Sequence, residues 1–449
     1  MATTALRTGL KTPKRLVAGL LAGAALTGVL AACAPARRQT SARIPIQFWT
    51  LDLAPKFNDY LNGVIARWEQ QNPCYDVVWT DVPWGSVERK LLAAVFARTA
   101  PDVVNLNPLF AANLASKGGL QPLEPLLPQG AAETYLPLIW QAGQSAAADG
   151  QPQQFAIPWY LTARITLANS QLLSQAGYDA PPRSWAEVPA YAEAVKRRTG
   201  RYALFVTVVP EDSAELLESL VQMGVTLLDQ RQRAAFNTPA GRRAFAFWSD
   251  LYRRGLLPRE VVSQGYRRAI ELYQSGELAQ VGSGAEFLRS IQTNAPQVAA
   301  ATRPYPPLTG ANGAANVAVM TLAIPRQSKV AGPATRFALF LTDANNQARF
   351  AEQARVLPSS TGALRQVEEA LADEQPSTQA EQLVRQARLL SAQTLSSARV
   401  LVPASPGVKR LQAIVYTQLQ RAMLGQISSD AALAEAERQW NAYAAGRWP

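Results

Sequence analysis

The pattern of residues 44 to 106 alternates between strand and helix, and this alternation restricts the possible folds more than any other feature of the sequence. Three segments rich in β-branched and aromatic residues predict strands. They are residues 44–50 (IPIQFWT), 75–81 (YDVVWTD) and 102–106 (DVVNL). Apolar residues at helical spacing from Phe57 to Trp68 predict a helix between the first two strands, and Ser86 can cap a second helix that runs to about Arg98. Strands joined by helices through short connections form parallel β-α-β units, so the sequence predicts an α/β protein.

The carboxyl ends of these strands carry aromatic, carboxylate and amide side chains. They are Trp49, Asp52, Asp81, Trp84 and Asn107. Ligands of such sheets bind outside the carboxyl ends of the strands. Indole faces can cover the apolar face of a sugar there, while Asp and Asn bond its hydroxyls. The rim therefore predicts a sugar site, although Trp49 and Trp84, taken singly, fit a core position equally well.

Other segments of the chain predict further elements. The segment FAIPWY places Trp159 and Tyr160 after a proline and away from any helical face, as a second aromatic pair. Ser184 and Glu187 form a capping box that starts a helix, and Thr238 before a proline starts another. Core positions are predicted from their spacing for three more tryptophans, which are Trp68, Trp79 and Trp248. From Ser359 onward the pattern is mainly helical.

The amino terminus has the layout of an export signal. Four basic residues and no acid precede an almost wholly apolar run from Leu16 to Leu30. The run is shorter than the roughly 20 apolar residues that a membrane span requires. It ends in Leu-Ala-Ala-Cys33, which resembles the bacterial lipobox, whose cysteine is lipidated. We predict a lipoprotein signal peptide at 1–32, a tether at 33–43, and an exported protein anchored by Cys33 that faces the periplasm or the cell exterior; a soluble secreted protein is the alternative.

Composition excludes several kinds of catalytic and metal site. The chain has no His and two Cys, so a Ser-His-Asp triad, a Cys-His dyad and the usual zinc sites are impossible. No phosphate-binding loop or run of alternating acids predicts a nucleotide, calcium ion or other cofactor. The net charge is +11, and removal of the four basic residues in 1–32 leaves 40 basic against 33 acidic residues, or +7. Cys74, then the one free cysteine, is expected to be a buried small apolar residue.

The ordered set of motifs resembles a known family. Its members in this sequence are the lipobox, PIQFWT, WEQQNP before YDVVWTDVPW, PDVVNLN, SKGGLQPL, AIPWY, AGYDAPPRSWAEV, AIPRQSK before FALFLTDANNQARF, and ARVLPSS. The chain resembles the carbohydrate-binding lipoproteins of bacterial ABC importers, in extracellular solute-binding family 1, which includes maltose-binding protein. The resemblance implies a periplasmic-binding-protein-like (type II) clamshell of two interleaved α/β lobes. Lobe 1 would be 44–163 plus 320–352, and lobe 2 would be 164–318 plus 354–449, with hinge crossings near 159–165 and 316–320.

The resemblance also implies a binding site and partners. The cleft residues would be Trp49, Asp52, Asp81, Trp84, Asn107, Trp159, Tyr160, Glu286, Phe287, Tyr305 and Arg355. Maltose-type binders carry a stacking tryptophan near the position of Glu286, where this chain offers Phe287. The expected partners are a carbohydrate ligand, ABC permease subunits with a cytoplasmic ATPase, and the membrane through the lipid anchor. The chain is expected to work as a monomer, with no catalytic residue, metal, cofactor or nucleic acid.

Three other functions stay open at this stage. A phosphorylated solute would need converging Arg or Lys side chains, for which Arg355 and then Arg164 are the candidates. A carbohydrate-cleaving enzyme would need two carboxyl groups about 5 to 9.5 Å apart, for which Asp52 and Asp81 are the candidates. The arginine-rich stretch 231–268 could bind nucleic acid, but it reads more simply as a solvated helical surface.

Overall fold

The structure is a computed structural model that describes residues 43–146, 151–210, 212–310, 313–395, 397–402 and 407–445. The described residues belong to one compact unit, Arg43–Pro449. The predicted signal peptide, Cys33 and nearly all of the tether lie outside the described residues. None of the helices in the described ranges is long and apolar enough to cross a membrane.

The described chain contains twelve strands and seventeen α-helices. The strands are β1 (Ile44–Leu51), β2 (Tyr75–Val82), β3 (Val103–Leu106), β4 (Gln144–Ala146), β5 (Pro152–Gln154), β6 (Ala156–Ala163), β7 (Ile165–Asn169), β8 (Gln280–Ser283), β9 (Thr302–Tyr305), β10 (Ala315–Ala323), β11 (Leu357–Pro358) and β12 (Ala398–Arg399). The helices are α1 (Asn58–Gln71), α2 (Trp84–Ala97), α3 (Pro108–Ser116), α4 (Pro137–Trp140), α5 (Ser170–Ala176), α6 (Val188–Thr199), α7 (Glu215–Gln222), α8 (Pro239–Arg253), α9 (Tyr266–Gln274), α10 (Leu288–Asn294), α11 (Pro296–Ala301), α12 (Ala331–Leu341), α13 (Ala344–Ala354), α14 (Thr361–Asp373), α15 (Gln379–Thr394), α16 (Val408–Met423) and α17 (Ser429–Ala444).

The larger sheet has the strand order β11-β6-β10-β3-β1-β2, and β12 also pairs with β10. β1 runs parallel to β2 and to β3, as the β-α-β pattern of the sequence predicts. β10 runs antiparallel to β3 and β6, so the sheet is mixed. We call this sheet and the helices that cover it the first lobe. The parallel strands place the carboxyl ends of β1, β2 and β3 at one edge.

The smaller sheet has the order β8-β7-β9 and is antiparallel throughout. It packs against α5 to α9 and α16 to α17 in one large apolar core. We call this sheet and its helices the second lobe. A separate core fills the first lobe, contributed mainly by β1, β3, β6, α1, α12 and α13. Trp68 and Trp248 lie in these two cores as predicted, and Trp79 is partly buried against the first.

The chain passes between the lobes at the ends of two long strands. β6 of the first lobe ends at Ala163, β7 of the second begins at Ile165, and Arg164 lies between them. β10 pairs with β6 and β3 along most of its length, while Ala315 and Asn316 at its start pair with β12. The predicted segment 159–165 contains the first crossing, whereas residues 317–320 of the predicted segment 316–320 are paired within the larger sheet.

Two of the predicted helix starts are confirmed, and the third is misplaced. Ser184 and Glu187 form the predicted capping box, and the Thr238 side chain accepts a hydrogen bond from the Gly241 backbone at the start of α8. By contrast, α2 begins at Trp84, before the predicted cap Ser86. Its first turn is capped instead by a side chain from the neighbouring strand loop, described below.

The structure corrects the expected course of the chain after residue 354. This segment was assigned to the second lobe, yet β11 adds to the edge of the larger sheet beside β6. α14 follows and packs against α13, with Val367 and Leu371 in contact with Ala351. The chain joins the core of the second lobe later, from Leu383 on α15 onward.

Cys74 also differs from its predicted environment. The side chain is exposed, not buried. It lies in the short connection between α1 and β2, where neither element covers it. A short loop at the surface offers a small apolar residue no core to enter.

Candidate ligand-binding site

Asp81 is held in a fixed orientation at the carboxyl end of β2. Thr50 lies opposite it in the register of β1 and β2 and donates its hydroxyl to Asp81 Oδ1 at 2.6 Å. The backbone N–H groups of Leu53 and Ala54 donate to Oδ1 and Oδ2, each at 3.1 Å. Trp79 in turn donates its indole N–H to the Thr50 hydroxyl at 2.8 Å. Asp81 thus shapes the loop after β1, and Oδ2, with one bond here, can accept another.

Asp52 fixes the start of α2 and so the position of Trp84. Its backbone is left-handed (φ 49°), which Asp tolerates better than most residues. Its Oδ2 accepts the backbone N–H of Trp84 at 2.8 Å, which places a carboxylate at the amino end of the helix. Trp84 is the first residue of α2, and 45% of its surface is exposed. An exposed indole ring is therefore held next to the two carboxylates of the rim.

Trp49 and Tyr160 border one small apolar cluster beside these carboxylates. The buried members of the cluster are Leu51, Val82, Val87 and Met320. Both aromatic rings are only partly buried. Burial raises the pKa of the Tyr160 phenol above its ordinary range, and the nearby charge of Asp81 raises it further. The structure therefore brings together Trp49, Asp52, Asp81, Trp84 and Tyr160, five of the predicted site residues.

Asn107 lies where the sequence analysis placed it, directly after β3. Its side-chain Oδ1 accepts the backbone N–H of Phe110 at 2.8 Å and caps α3. The side chain is partly buried. Capping occupies the carbonyl oxygen and leaves the amide group available as a donor.

Trp159 is a correction to the predicted site. Its side chain is 0% exposed, and its ring stacks on Phe350 with centroids 5.1 Å apart. Phe48 and Tyr160 pack against it at centroid distances of 6.3 and 5.2 Å. Successive side chains of a strand point to opposite faces, and Trp159 on β6 points into the covered face of the sheet. No part of its ring is accessible to a ligand, so Trp159 is a core residue.

On the second lobe, Arg164 at the strand crossing is surrounded by acidic and aromatic groups. Its Nη1 lies 2.7 Å from Glu215 Oε1 and 3.4 Å from Glu218 Oε2. Its guanidinium carbon lies 5.9 Å from the ring centroid of Tyr266, whose hydroxyl donates to the Gly282 carbonyl at 3.0 Å. Burial raises the pKa of both glutamates, and the positive charge of Arg164 opposes that rise. The positive charge of Arg164 is therefore compensated by two acids of the second lobe, Glu215 and Glu218.

The sequence analysis missed this group apart from Arg164. The two acids are three residues apart on α7, and that spacing is a signal that they share a helix face. Tyr266 gave no such signal because its partners are Arg164, about 100 residues earlier in the chain, and Gly282 and Ser283 on β8.

A small cavity with a mixed polar and apolar lining lies beside Arg164 in the second lobe. It has a volume of about 50 Å³, and Thr166, Gln280 and Asn316 are among its lining residues. Gln280 Oε1 is buried there and has no hydrogen-bond partner within the described part of the chain. Sites for drug-sized ligands are about 300 to 1,000 Å³. The cavity is large enough for water but too small for a ligand of that size.

Glu286, Phe287 and Tyr305 have local roles on the second lobe. The Glu286 carboxylate folds back over Gly284, so closely that a Cβ atom there would collide with Oε2. Phe287 packs edge-on against Tyr266, with centroids 6.0 Å apart, and against the core of the lobe. Tyr305 donates its hydroxyl to the Asp179 carbonyl at 3.3 Å. Phe287 is thus committed to packing, which weakens the idea that it stacks on a ligand.

Arg355 ends α13 in a left-handed conformation (φ 58°). Its charge acts on Arg388 of α15, whose pKa is lowered mainly by desolvation and further by Arg355. Glu374 is the acidic partner of Arg388, at 4.0 Å. Arg355 therefore lies near Arg388 of α15, and no described contact joins it to the rim of β1 and β2.

Replacing Glu286 with glutamine is expected to flatten the pH dependence of stability. Burial raises the pKa of this carboxyl from 4.5 to about 7, so the folded chain binds the proton more tightly than the unfolded chain. The stability that this proton contributes is complete below pH about 4.5 and is lost as the pH rises through about 7. We expect a loss on the order of 1 to 3 kcal/mol in the wild type, measured by urea unfolding at pH 4.5 and 8.

The control for this experiment is Glu369→Gln on α14. Glu369 is exposed, so the variant makes the same change of charge without altering a buried group. It is expected to keep the wild-type dependence on pH. Equal curves for Glu286→Gln and the wild type would show that Glu286 is solvated in the folded protein.

Comparison with known proteins supports this architecture. A protein from Synechococcus sp. MITs9220, provisionally assigned as an oligosaccharide periplasmic-binding protein, is 69% identical; its crystal structure has a TM-score of 0.85, over 90% of this chain and 100% of that one. The sugar-binding protein MalE from Xanthomonas citri is 23% identical, with a TM-score of 0.72 over 90% of this chain and 98% of its own. The mannitol-binding protein of Pseudomonas aeruginosa is 25% identical over 401 residues, which cover 82% of this chain and 86% of that protein.

These likenesses confirm the predicted fold class, the type II periplasmic-binding-protein-like clamshell with two α/β lobes. The model of one protein family, described as bacterial extracellular solute-binding protein, matches residues 54–348. The matched region contains most of the larger sheet, all of the smaller sheet and both strand crossings. The chain belongs to the bacterial extracellular solute-binding protein family.

Proposed function

We propose that the protein binds a sugar or oligosaccharide for a bacterial ABC importer. The observation that carries the proposal is the rim of the first lobe, where the exposed ring of Trp84 lies beside two fixed carboxylates, Asp52 and Asp81. A pyranose offers an apolar face for the ring and hydroxyl donors for the carboxylates. The relatives add support, since their names refer to an oligosaccharide, a sugar and mannitol.

Capture would work by closure of the two lobes around the ligand. A ligand that touches both rims makes more contacts in the closed state than in the open state. It shifts the equilibrium by that difference in affinity and by no more. The two strand crossings at Arg164 and at the start of β10 are the natural hinge, because few residues there change conformation while each lobe keeps its own core.

A neutral ligand fits the charges better than a phosphorylated one. A phosphate would need an arginine or lysine free to approach it. Arg164 is already paired with Glu215 and Glu218, and Arg355 lies near Arg388 of α15, with no described contact to the rim. The acids of the rim would in addition repel a phosphate group. We therefore propose a neutral sugar or polyol as the ligand.

Binding is also favoured over cleavage of a sugar. Asp52 caps α2, and Asp81 accepts three hydrogen bonds from the β1 side of the rim. Glycoside hydrolysis needs a pair of carboxyl groups that both face the scissile bond, whereas these two accept hydrogen bonds from the chain that surrounds them. Both groups suit the acceptance of sugar hydroxyls.

The anchor and the partners form part of the same proposal. The lipobox at Cys33 supports a mature protein that begins with a lipidated cysteine and is held at the outer face of the cell membrane. The closed, loaded form would then deliver its ligand to permease subunits driven by a cytoplasmic ATPase. A second acyl chain is needed for stable anchoring, so we expect the lipidated cysteine to carry more than one.

Mass spectrometry of the ligand that co-purifies with the protein tests the proposal. The protein is purified without refolding, denatured, and the released small molecules are identified. We expect a neutral sugar or polyol, and calorimetric titration of the stripped protein with that compound should reproduce binding. Release of a sugar phosphate, with titration confined to phosphorylated compounds, would overturn the neutral-ligand proposal. Turnover of a bound oligosaccharide, abolished in Asp81→Asn, would overturn binding without catalysis.

A further inference from the structure

An ion pair next to Trp84 joins α2 of the first lobe to α16 of the second lobe. The Lys409 ammonium contacts the Glu88 carboxylate across 321 residues of sequence. Glu88 lies on α2, one helical turn after Trp84, so the two side chains share a face of that helix. Lys409 lies in the first turn of α16, whose buried residues belong to the core of the second lobe.

The pair connects helices that belong to different lobes, so its length depends on the separation of the lobes. Each of its members is fixed to a helix of a different lobe. Half of the Lys409 side chain and about a third of that of Glu88 remain exposed, so neither needs the other to avoid a buried charge. Their attraction therefore lowers the free energy of the closed state, while separation of the two charges in water raises that of the open state little. A ligand stacked on Trp84 would also shield the pair from water on one side and strengthen it.

We propose that Glu88 and Lys409 form a latch that stabilises the closed state and slows release of the ligand. This inference rests on the proposed function, because a latch at this place requires a protein that opens and closes. An exposed ion pair changes the ratio of closed to open molecules by up to about fivefold. Two like charges at the same positions replace this attraction with a repulsion of similar size, so the change in free energy is about twice as large. The latch thus tunes the residence time and does not by itself determine which ligand binds.

Single-molecule fluorescence transfer on the ligand-free full chain tests the latch without a sugar. The dyes are attached to the native, exposed Cys74 of the first lobe and to Arg243→Cys on α8 of the second, in a Cys33→Ser background. We expect Lys409→Glu to lower the closed-to-open ratio about three- to tenfold, and high salt to remove most of the difference. The charge swap Glu88→Lys with Lys409→Glu should restore the wild-type ratio.

The matched control is Arg410→Glu, which makes the same change of charge at the next residue of α16 and should leave the ratio within about twofold of the wild type. An unchanged ratio in Lys409→Glu, or a swap that fails to restore it, would overturn the latch. A chain that shows one transfer state in every variant would overturn it too. The two proposals fail in different ways: absence of sugar binding with an intact response to Lys409→Glu would reject the ligand and keep the latch.

Discussion

Replacing Trp159 with alanine is expected to lower the free energy of unfolding by about 3 to 5 kcal/mol. The ring is completely buried and stacks on Phe350, with Phe48 and Tyr160 around it. These neighbours come from β1, β6 and α13, so the side chain links three parts of the first lobe. Removal of the indole leaves a cavity that the rigid sheet cannot close. Urea unfolding gives the change, read as a lower midpoint at an unchanged slope.

Trp159→Phe is the control that separates packing from ligand contact. It keeps an aromatic ring and removes the indole N–H, which is buried without an acceptor in the described residues. We expect a loss of about 1 to 2 kcal/mol, smaller than for alanine. Ligand affinity measured well below the unfolding midpoint should stay near the wild-type value in both variants. If Trp159→Ala instead had wild-type stability and much weaker binding, Trp159 would be a ligand-binding residue and not a core residue.

The elements of the first lobe were predictable because their patterns are local. Alternation and β-branched residues mark β1 and β2 to within about one residue of the observed bounds, and apolar spacing marks α1 to within about three. The capping box at Ser184 needs three neighbouring residues to be recognised. The edge rule for parallel sheets then placed Asp52, Asp81 and Trp84 next to one another without any knowledge of the rest of the chain.

The burial of single aromatic residues was not predictable in the same way. Trp84 follows a strand and Trp159 lies within one, and the first is 45% exposed while the second is fully buried. What covers Trp159 is Phe350 on α13, almost 200 residues farther along the chain. No local pattern reports such a contact. The same limit applies to Cys74, whose exposure depends on which elements happen to cover a short loop.

The ion pairs of Arg164 and of Glu88 could not be predicted from the sequence either. Arg164 looked like a candidate for phosphate until α7 supplied Glu215 and Glu218 from 50 residues away. Glu88 and Lys409 carried no signal at all, because an ion pair between two lobes leaves no periodicity in either helix. The resemblance to a family was informative about the fold, and it was least informative about which charges remain free for a ligand.

Replacing Trp84 with alanine is expected to weaken ligand binding by about 30-fold or more while changing stability by less than about 1 kcal/mol. The ring is 45% exposed, so the folded protein gains little from it, whereas truncation of an aromatic anchor in a binding site costs about 2 kcal/mol or more. The backbone N–H that Asp52 caps is retained, so α2 should still begin at residue 84. Calorimetric titration with the sugar identified in the co-purified fraction gives the affinity, and urea unfolding gives the stability.

Phe96→Ala on the same helix is the matched control, because Phe96 is 85% exposed and lies at the far end of α2, 12 residues after Trp84. Loss of that ring should alter neither affinity nor stability, and Trp84→Phe, which keeps a stacking face, should weaken binding only severalfold. Equal affinities for Trp84→Ala and Phe96→Ala would mean that the ligand does not stack on α2. The rim would then hold its ligand through Trp49 and Tyr160, which pack against the cluster that contains Val87 of the same helix. The position of the indole, set by one carboxylate at the end of β1, is thus the point on which the proposed site depends most directly.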